Sequence, residues 1–335
     1  MSQTFKINNS VLILQTLVVS GWVLSIDIYI ISRLGIMFFV YVILRFLQNL
    51  GRELPMRELT LMIMLLQLLI CPILVYHYFD NDVRYPMEIA EIPYVNYVFL
   101  AISLFALGLF VPLNLGELRT GVLIQNLKAT TKSNGKFGMI LIFVGYASTF
   151  VLKFIPSSLA FVAFLLINFK FVGAFLVLFS SNKYKYLWLV LVFGLYTLDI
   201  ISGGLFINLF VWGLMLLIIV LIKIEVSYLY KVLLLVAGFS IVFFVNGFKS
   251  EYREVTWRQD RSISERPRSN QEVFLDIAFE RAQEMTLEES EKDQERYDNF
   301  NDFVSRLNQG WIVAKVMNHV PMYEPYTGGE TIVAD

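Results

Sequence analysis

Cysteine, histidine and charge are all scarce in this chain. One cysteine in 335 residues excludes an intrachain disulfide and a thiolate metal cluster, and Cys71, set in an apolar run, reads as a small buried hydrophobe. Two histidines, His77 and His319, leave no pair at metal-ligand spacing. Neither a P-loop nor a GxSxG elbow is present, and no cofactor is expected. Charged residues make up 16% and hydrophobic residues 57%, which leaves too little polar surface to cover a water-soluble globule. The composition belongs in a bilayer.

What charge there is divides unevenly. Residues 1–248 hold 16 Lys and Arg against 10 Asp and Glu, and residues 249–335 hold 11 against 18. An acidic C-terminal segment is not built for nucleic acid, which needs a basic footprint. A helix crosses a bilayer with about 20 apolar residues. That template fits nine times: roughly 10–31, 34–50, 59–78, 94–115, 137–155, 157–180, 184–201, 204–223 and 228–247. Lys6 alone precedes the first, and no small-residue cleavage site follows it, so it reads as a span rather than a removed signal peptide.

Orientation follows from the positive-inside rule. Arg45, Arg52 and Arg57 flank the second loop, while Arg119, Lys128, Lys132 and Lys136 fill the fourth. Lys183 and Lys185 mark the sixth, and Lys223 and Lys231 the eighth. The third loop instead carries Asp80, Asp82, Glu88 and Glu91 against Arg84. The expectation is an all-α, polytopic transmembrane bundle over residues 1–248 with a cytoplasmic N-terminus. Residues 249–335 then form a mainly helical extracytoplasmic, periplasmic segment.

Within that segment Val273, Phe274, Ile277 and Ala278 begin a helix-period pattern. Glu284 to Glu295 reads as a solvated helix or linker. The pattern resumes through Phe300, Phe303, Leu307, Trp311 and Met317 until Pro321 stops it. Residues 322–331 read as loop, and the chain ends at Asp335 as though within a folded domain, an incomplete one.

Several residues could carry chemistry. Lys170 sits at the midpoint of the sixth span, where a charge costs about 2.5–3.5 kcal/mol and must find a partner or lose its proton. Asp27 and Asp199 lie near span ends. Arg253 and Arg306 offer planar guanidinium groups suited to an anionic, lipid-linked substrate. Arg253 lies between Lys249 and Trp257 in a basic-aromatic stretch at headgroup depth, which equally suits an interfacial anchor. His319 is a candidate general base. On a single helix it would stand 13 positions from Arg306, about 20 Å along the axis, too far for a dyad. His77, between Tyr76 and Tyr78, reads as part of an aromatic belt. A membrane cysteine protease of exosortase type would need Cys71 with His77 and Arg84, a generic arrangement.

Four strings share a further property. Ser202-Gly-Gly-Leu-Phe206, then Lys249-xx-Tyr252-Arg253-xxx-Trp257, then Arg306-Leu-Asn-Gln-Gly-Trp311, and last Val320-Pro-xxx-Pro325-Tyr-xx-Gly-Glu330-Thr331 resemble, in order, the bacterial O-antigen polymerases (oligosaccharide-repeat-unit polymerases, Wzy-like). The resemblance covers about the last 130 residues. It implies a multi-pass inner-membrane enzyme acting on undecaprenyl-pyrophosphate-linked glycans, with the bilayer and other polysaccharide-assembly proteins as partners. It implies a metal-independent, inverting glycosyl transfer in which Arg253 and Arg306 hold pyrophosphate and His319 or Glu330 is the base. Lys249, Trp257 and Lys170 would complete the substrate contacts. Proteins of this family return to the membrane after the exported domain, and here no further span follows, as in a truncated chain. The alternative is a non-enzymatic component of polysaccharide export, flippase-like, with Lys170 lining a path.

Overall fold

The sequence predicts apolar segments broken by charged loops, and the structure, a computed structural model, folds them as helices. It describes residues 9–79, 85–111, 135–151, 154, 156, 159–203, 206–224, 226–258, 270–286, 292–320 and 322–325. Among these there is no strand beyond one isolated bridge between Leu50 and Glu53. The helices are α1 (Asn9–Leu24), α2 (Ile30–Asn49), α3 (Met56–His77), α4 (Glu91–Phe110), α5 (Gly135–Val151), α6 (Ala160–Phe179) and α7 (Lys185–Gly203). They continue with α8 (Ile207–Lys223), α9 (Tyr228–Arg258), α10 (Asn270–Thr286), α11 (Lys292–Leu307) and α12 (Gly310–His319).

Six of these, α2, α3, α4, α6, α7 and α9, are long and apolar enough to cross a membrane. Three shorter apolar stretches, Ile13–Leu24, Gly135–Phe150 and Asn208–Lys223, accompany them. Their outward faces carry bare hydrophobes: Phe161 is 69% and Val190 68% exposed. In water such faces would be untenable, and against acyl chains they are the expected surface. This is an all-helical membrane protein.

One expected boundary moves. The first span was expected to run to residue 31, but α1 stops at Leu24 and α2 begins at Ile30. Arg33 bridges the break. Its guanidinium donates to Ile28 O at 2.9 Å and Leu24 O at 3.2 Å, so carbonyls left open where α1 ends are met by a side chain of the next helix.

Buried side chains gather in separate clusters. The largest joins α2, α3 and α4, and Val304 of α11 and Ala314 of α12 belong to it. A second joins α2 and α3 to α8, and a third joins α7, α9 and α10 around Tyr252. The fourth holds α5 to α7. There α5 and α6 touch backbone to backbone, because a Cβ on Gly145 would lie 2.5 Å from Lys170 N.

Candidate functional site

Halfway along α3 the helix is broken by its own chemistry. Pro72 has no N–H to give the carbonyl four residues back, so Leu68 O loses its helical donor. Just before it, residues Leu66–Ile70 form a π turn, in which the Cys71 N–H bonds Leu66 O. Gln67 O is therefore left open as well: Cys71 is committed elsewhere and Pro72 cannot donate. Both carbonyls stand roughly 16 Å from either end of α3, where a lipid environment offers no water to satisfy them.

Two groups from elsewhere in the chain fill these positions. Tyr94 Oη, on a fully buried side chain of α4, donates to Leu68 O at 2.6 Å. The Gln309 backbone N–H, between α11 and α12, donates to Gln67 O at 3.1 Å.

That second bond comes from the C-terminal segment. The apolar stripe of α11, Phe300, Phe303, Val304 and Leu307, falls at helical spacing. Phe300 meets Phe79 at 5.5 Å, and Phe303 meets Phe243 of α9 at 5.3 Å. The chain turns at Asn308, 0% exposed, whose Oδ1 accepts the Gly310 N–H at 2.9 Å. Its Nδ2 donates to Met87 Sδ at 3.5 Å. The path then leads back: Trp311 packs on Tyr85 at 5.7 Å, and Asn318 Nδ2 reaches Glu88 Oε2 at 3.1 Å.

Phe300 and Asn318 thus both meet residues at or beyond the His77 end of α3, while the turn between them reaches the middle of that helix. Helices α11 and α12 form a re-entrant hairpin. Gly310 makes the seating possible, because a Cβ there would lie 2.1 Å from Tyr94 Oη and 2.5 Å from Pro72 Cγ.

This break replaces the single helix on which the separation of Arg306 and His319 was reckoned. Arg306 is half-buried in the last turn of α11, with Nε 2.9 Å from Asp302 Oδ2. His319 ends α12, exposed, stacked on Tyr323 at 5.1 Å and 3.5 Å from Glu324 Oε1. Lys249 is half-buried on α9. Arg253 and Trp257 fall on the same helix, which continues past the expected end of its span to Arg258; their side chains lie outside the described residues. Glu330 lies outside them altogether. Between Lys249 and Arg253, Tyr252 is fully buried and donates to Ile201 O, which ties α9 to the end of α7. Burial raises its phenol above the ordinary tyrosine value.

Lys170 lies apart from these residues, in the α5–α7 cluster. It is 4% exposed. Its ammonium faces the rings of Tyr146, Tyr196 and Phe171 at 5.2, 5.3 and 5.4 Å. Asp199 is the carboxylate acting on it, from beyond ion-pair distance. Cys71 is buried as expected.

Sequence reasoning missed a polar network at the His77 end. His77 Nε2 is 3.0 Å from Glu91 Oε2, and Ser32 Oγ donates to Glu91 Oε1 at 2.6 Å. One half-buried carboxylate thus ties α2, α3 and α4 together and orients an imidazole. The signal was the spacing of His77 and Glu91 at facing ends of successive apolar helices. Read singly, each residue looked interfacial.

Searches against models of protein families, against curated proteins and against solved structures match nothing.

Proposed function

We propose that this protein is a polymerase-like glycosyltransferase of bacterial surface-polysaccharide assembly, working on undecaprenyl-pyrophosphate-linked repeats at the outer face of the inner membrane. In this reading all nine apolar segments span the bilayer, with the N-terminus in the cytoplasm and the His77 end of α3 facing outward. The observation that carries it is where one of the resemblant strings falls. Arg306-Leu-Asn-Gln-Gly-Trp311 makes the turn of the re-entrant hairpin: its Gln309 N–H bonds Gln67 O at the middle of α3, and Arg306 ends the helix that leads into that turn, with Nε 2.9 Å from Asp302 Oδ2.

A glycosyl transfer there would proceed by attack of an acceptor hydroxyl on the anomeric carbon. The bond to pyrophosphate breaks, and the hydroxyl proton passes to a base. Arg306 and Arg253 would neutralise the departing pyrophosphate. His319 and Glu330 are the bases suggested by resemblance, and His77, held by Glu91, is a third. The flippase-like alternative gains no support from Lys170, whose ammonium is closed in by aromatic rings rather than lining a path.

The test uses purified protein with a synthetic undecaprenyl-pyrophosphate-linked repeat, chain length being read by gel or mass spectrometry. Arg306→Ala should cost about 100-fold or more in rate, as loss of a charge-stabilising group does, with unchanged thermal stability. Equal activity of Arg306→Ala and the parent protein would remove the proposal's support.

A further inference from the structure

Away from the hairpin, at the Met56 end of α3, a groove of about 600 Å³ lies between α2, α3 and α4. Its walls are almost wholly hydrocarbon: Phe38 and Val42 from α2, Leu61 from α3, and Ala106, Leu107 and Phe110 from α4. Phe38 to Arg45 and Ser103 to Phe110 each span about 10 Å of helical rise. The groove therefore runs along the helices from mid-depth toward one end, about two thirds of the ~15 Å hydrocarbon depth of one leaflet. Leu107 on its rim is 67% exposed, so it opens sideways toward lipid.

Charge is confined to one end. Arg45 and Arg57 both lie over the Phe110 ring, at 4.6 and 5.4 Å. Arg45 is already answered: its Nε is 3.3 Å from Glu58 Oε1, and Nη1 donates to Tyr41 Oη at 3.3 Å. Glu58, 3% exposed, also accepts from Asn49 Nδ2 at 2.9 Å. That pair is internally neutral. Arg57 is exposed and, among the described residues, has the Phe110 face and no anionic partner. A guanidinium with no anionic partner among the described residues, at the mouth of an apolar slot, complements a single negative headgroup on a hydrocarbon chain.

We propose that this groove is a specific site for an anionic phospholipid, with one acyl chain along α2 and α4 and the phosphate on Arg57. The site is independent of the glycosyl-transfer reading. The test is native mass spectrometry of the detergent-purified protein with phosphatidylglycerol or phosphatidylcholine of identical chains. One phosphatidylglycerol should be retained at least 10-fold more strongly. Arg57→Gln should remove that preference, and Ser103→Phe, which fills the groove, should abolish retention of the bound lipid. Glycerophosphate without chains should not compete. Should Ser103→Phe fail to fold, short-chain phosphatidylglycerol on the parent protein takes its place and should bind weakly. Equal retention of the two lipids, an unchanged preference in Arg57→Gln, or competition by glycerophosphate would overturn the proposal.

Discussion

Two places in this molecule bury polarity at the middle of an apolar helix, and they solve the problem in opposite ways. In α3 the polar groups are backbone carbonyls freed by Pro72 and the π turn before it, and each is given a donor, Tyr94 Oη or the Gln309 N–H. In α6 the polar group is the Lys170 ammonium, which receives only aromatic faces and a distant carboxylate. The first solution requires a specific partner at a specific place, and so recruits a distant part of the chain. The second needs only close packing, supplied by Gly145. A satisfied break in a helix is a docking site, whereas an enclosed charge is a cost that the surrounding packing carries.

The largest expected effect comes from closing the docking site. Gly310→Ala places a methyl within 2.1 Å of Tyr94 Oη and 2.5 Å of Pro72 Cγ, so the hairpin must lift. That leaves Gln67 O unsatisfied in an apolar setting, for a total of about 3 kcal/mol or more. Cys71, the lone cysteine and 1% exposed, reports the change: maleimide labelling should quicken strongly in Gly310→Ala. Unchanged labelling and melting would show that the hairpin is not seated there.

Tyr94→Phe should cost less, about 1–3 kcal/mol, the penalty for one orphaned buried acceptor. It also removes the nearest atom that a Cβ on residue 310 would meet. The double variant Tyr94→Phe with Gly310→Ala should therefore fall short of the sum of the single effects. Pro72→Ala sharpens the point, since it restores an N–H that can reach Leu68 O within the helix. In that background Tyr94→Phe should lose most of its cost. An undiminished cost would mean that Tyr94 acts by packing and that its hydroxyl is incidental.

The bundle was legible in the sequence because hydropathy over about 20 residues is what the bilayer selects. Arg33 was not read as a terminator, because a guanidinium that caps the preceding helix has no periodic signature. The C-terminal stripe from Phe300 to Met317 was visible as helical, yet periodicity names a face and not what it packs against. The missing clue was Pro72, whose position in mid-span implies one carbonyl, Leu68 O, in need of a donor; the second, Gln67 O, is opened by a π turn that has no sequence signature. Arg306 and His319 were singled out by residue type alone. The His77–Glu91–Ser32 network was not, since it exists only once three helices are assembled.

The smallest effect, and one of opposite sign, belongs to Lys170. Its side chain makes no hydrogen bond or ion pair among the described residues, so desolvation of the amine is offset only by ring faces worth about 0.5–2 kcal/mol and by the distant Asp199 carboxylate. Replacing a buried charge by an apolar side chain of similar shape is often neutral or stabilising, and methionine matches the lysine stem while dispensing with the amine. Lys170→Met should therefore leave the thermal midpoint unchanged or raise it, in contrast to Gly310→Ala and Tyr94→Phe at the α3 seat. Lys170→Glu should lower it, because the carboxylate would face the quadrupoles of Tyr146 and Tyr196 with the wrong sign and would repel Asp199. A large loss of stability in Lys170→Met would mean that the amine does hold an acceptor in the membrane, and the two mid-helix sites would then be alike.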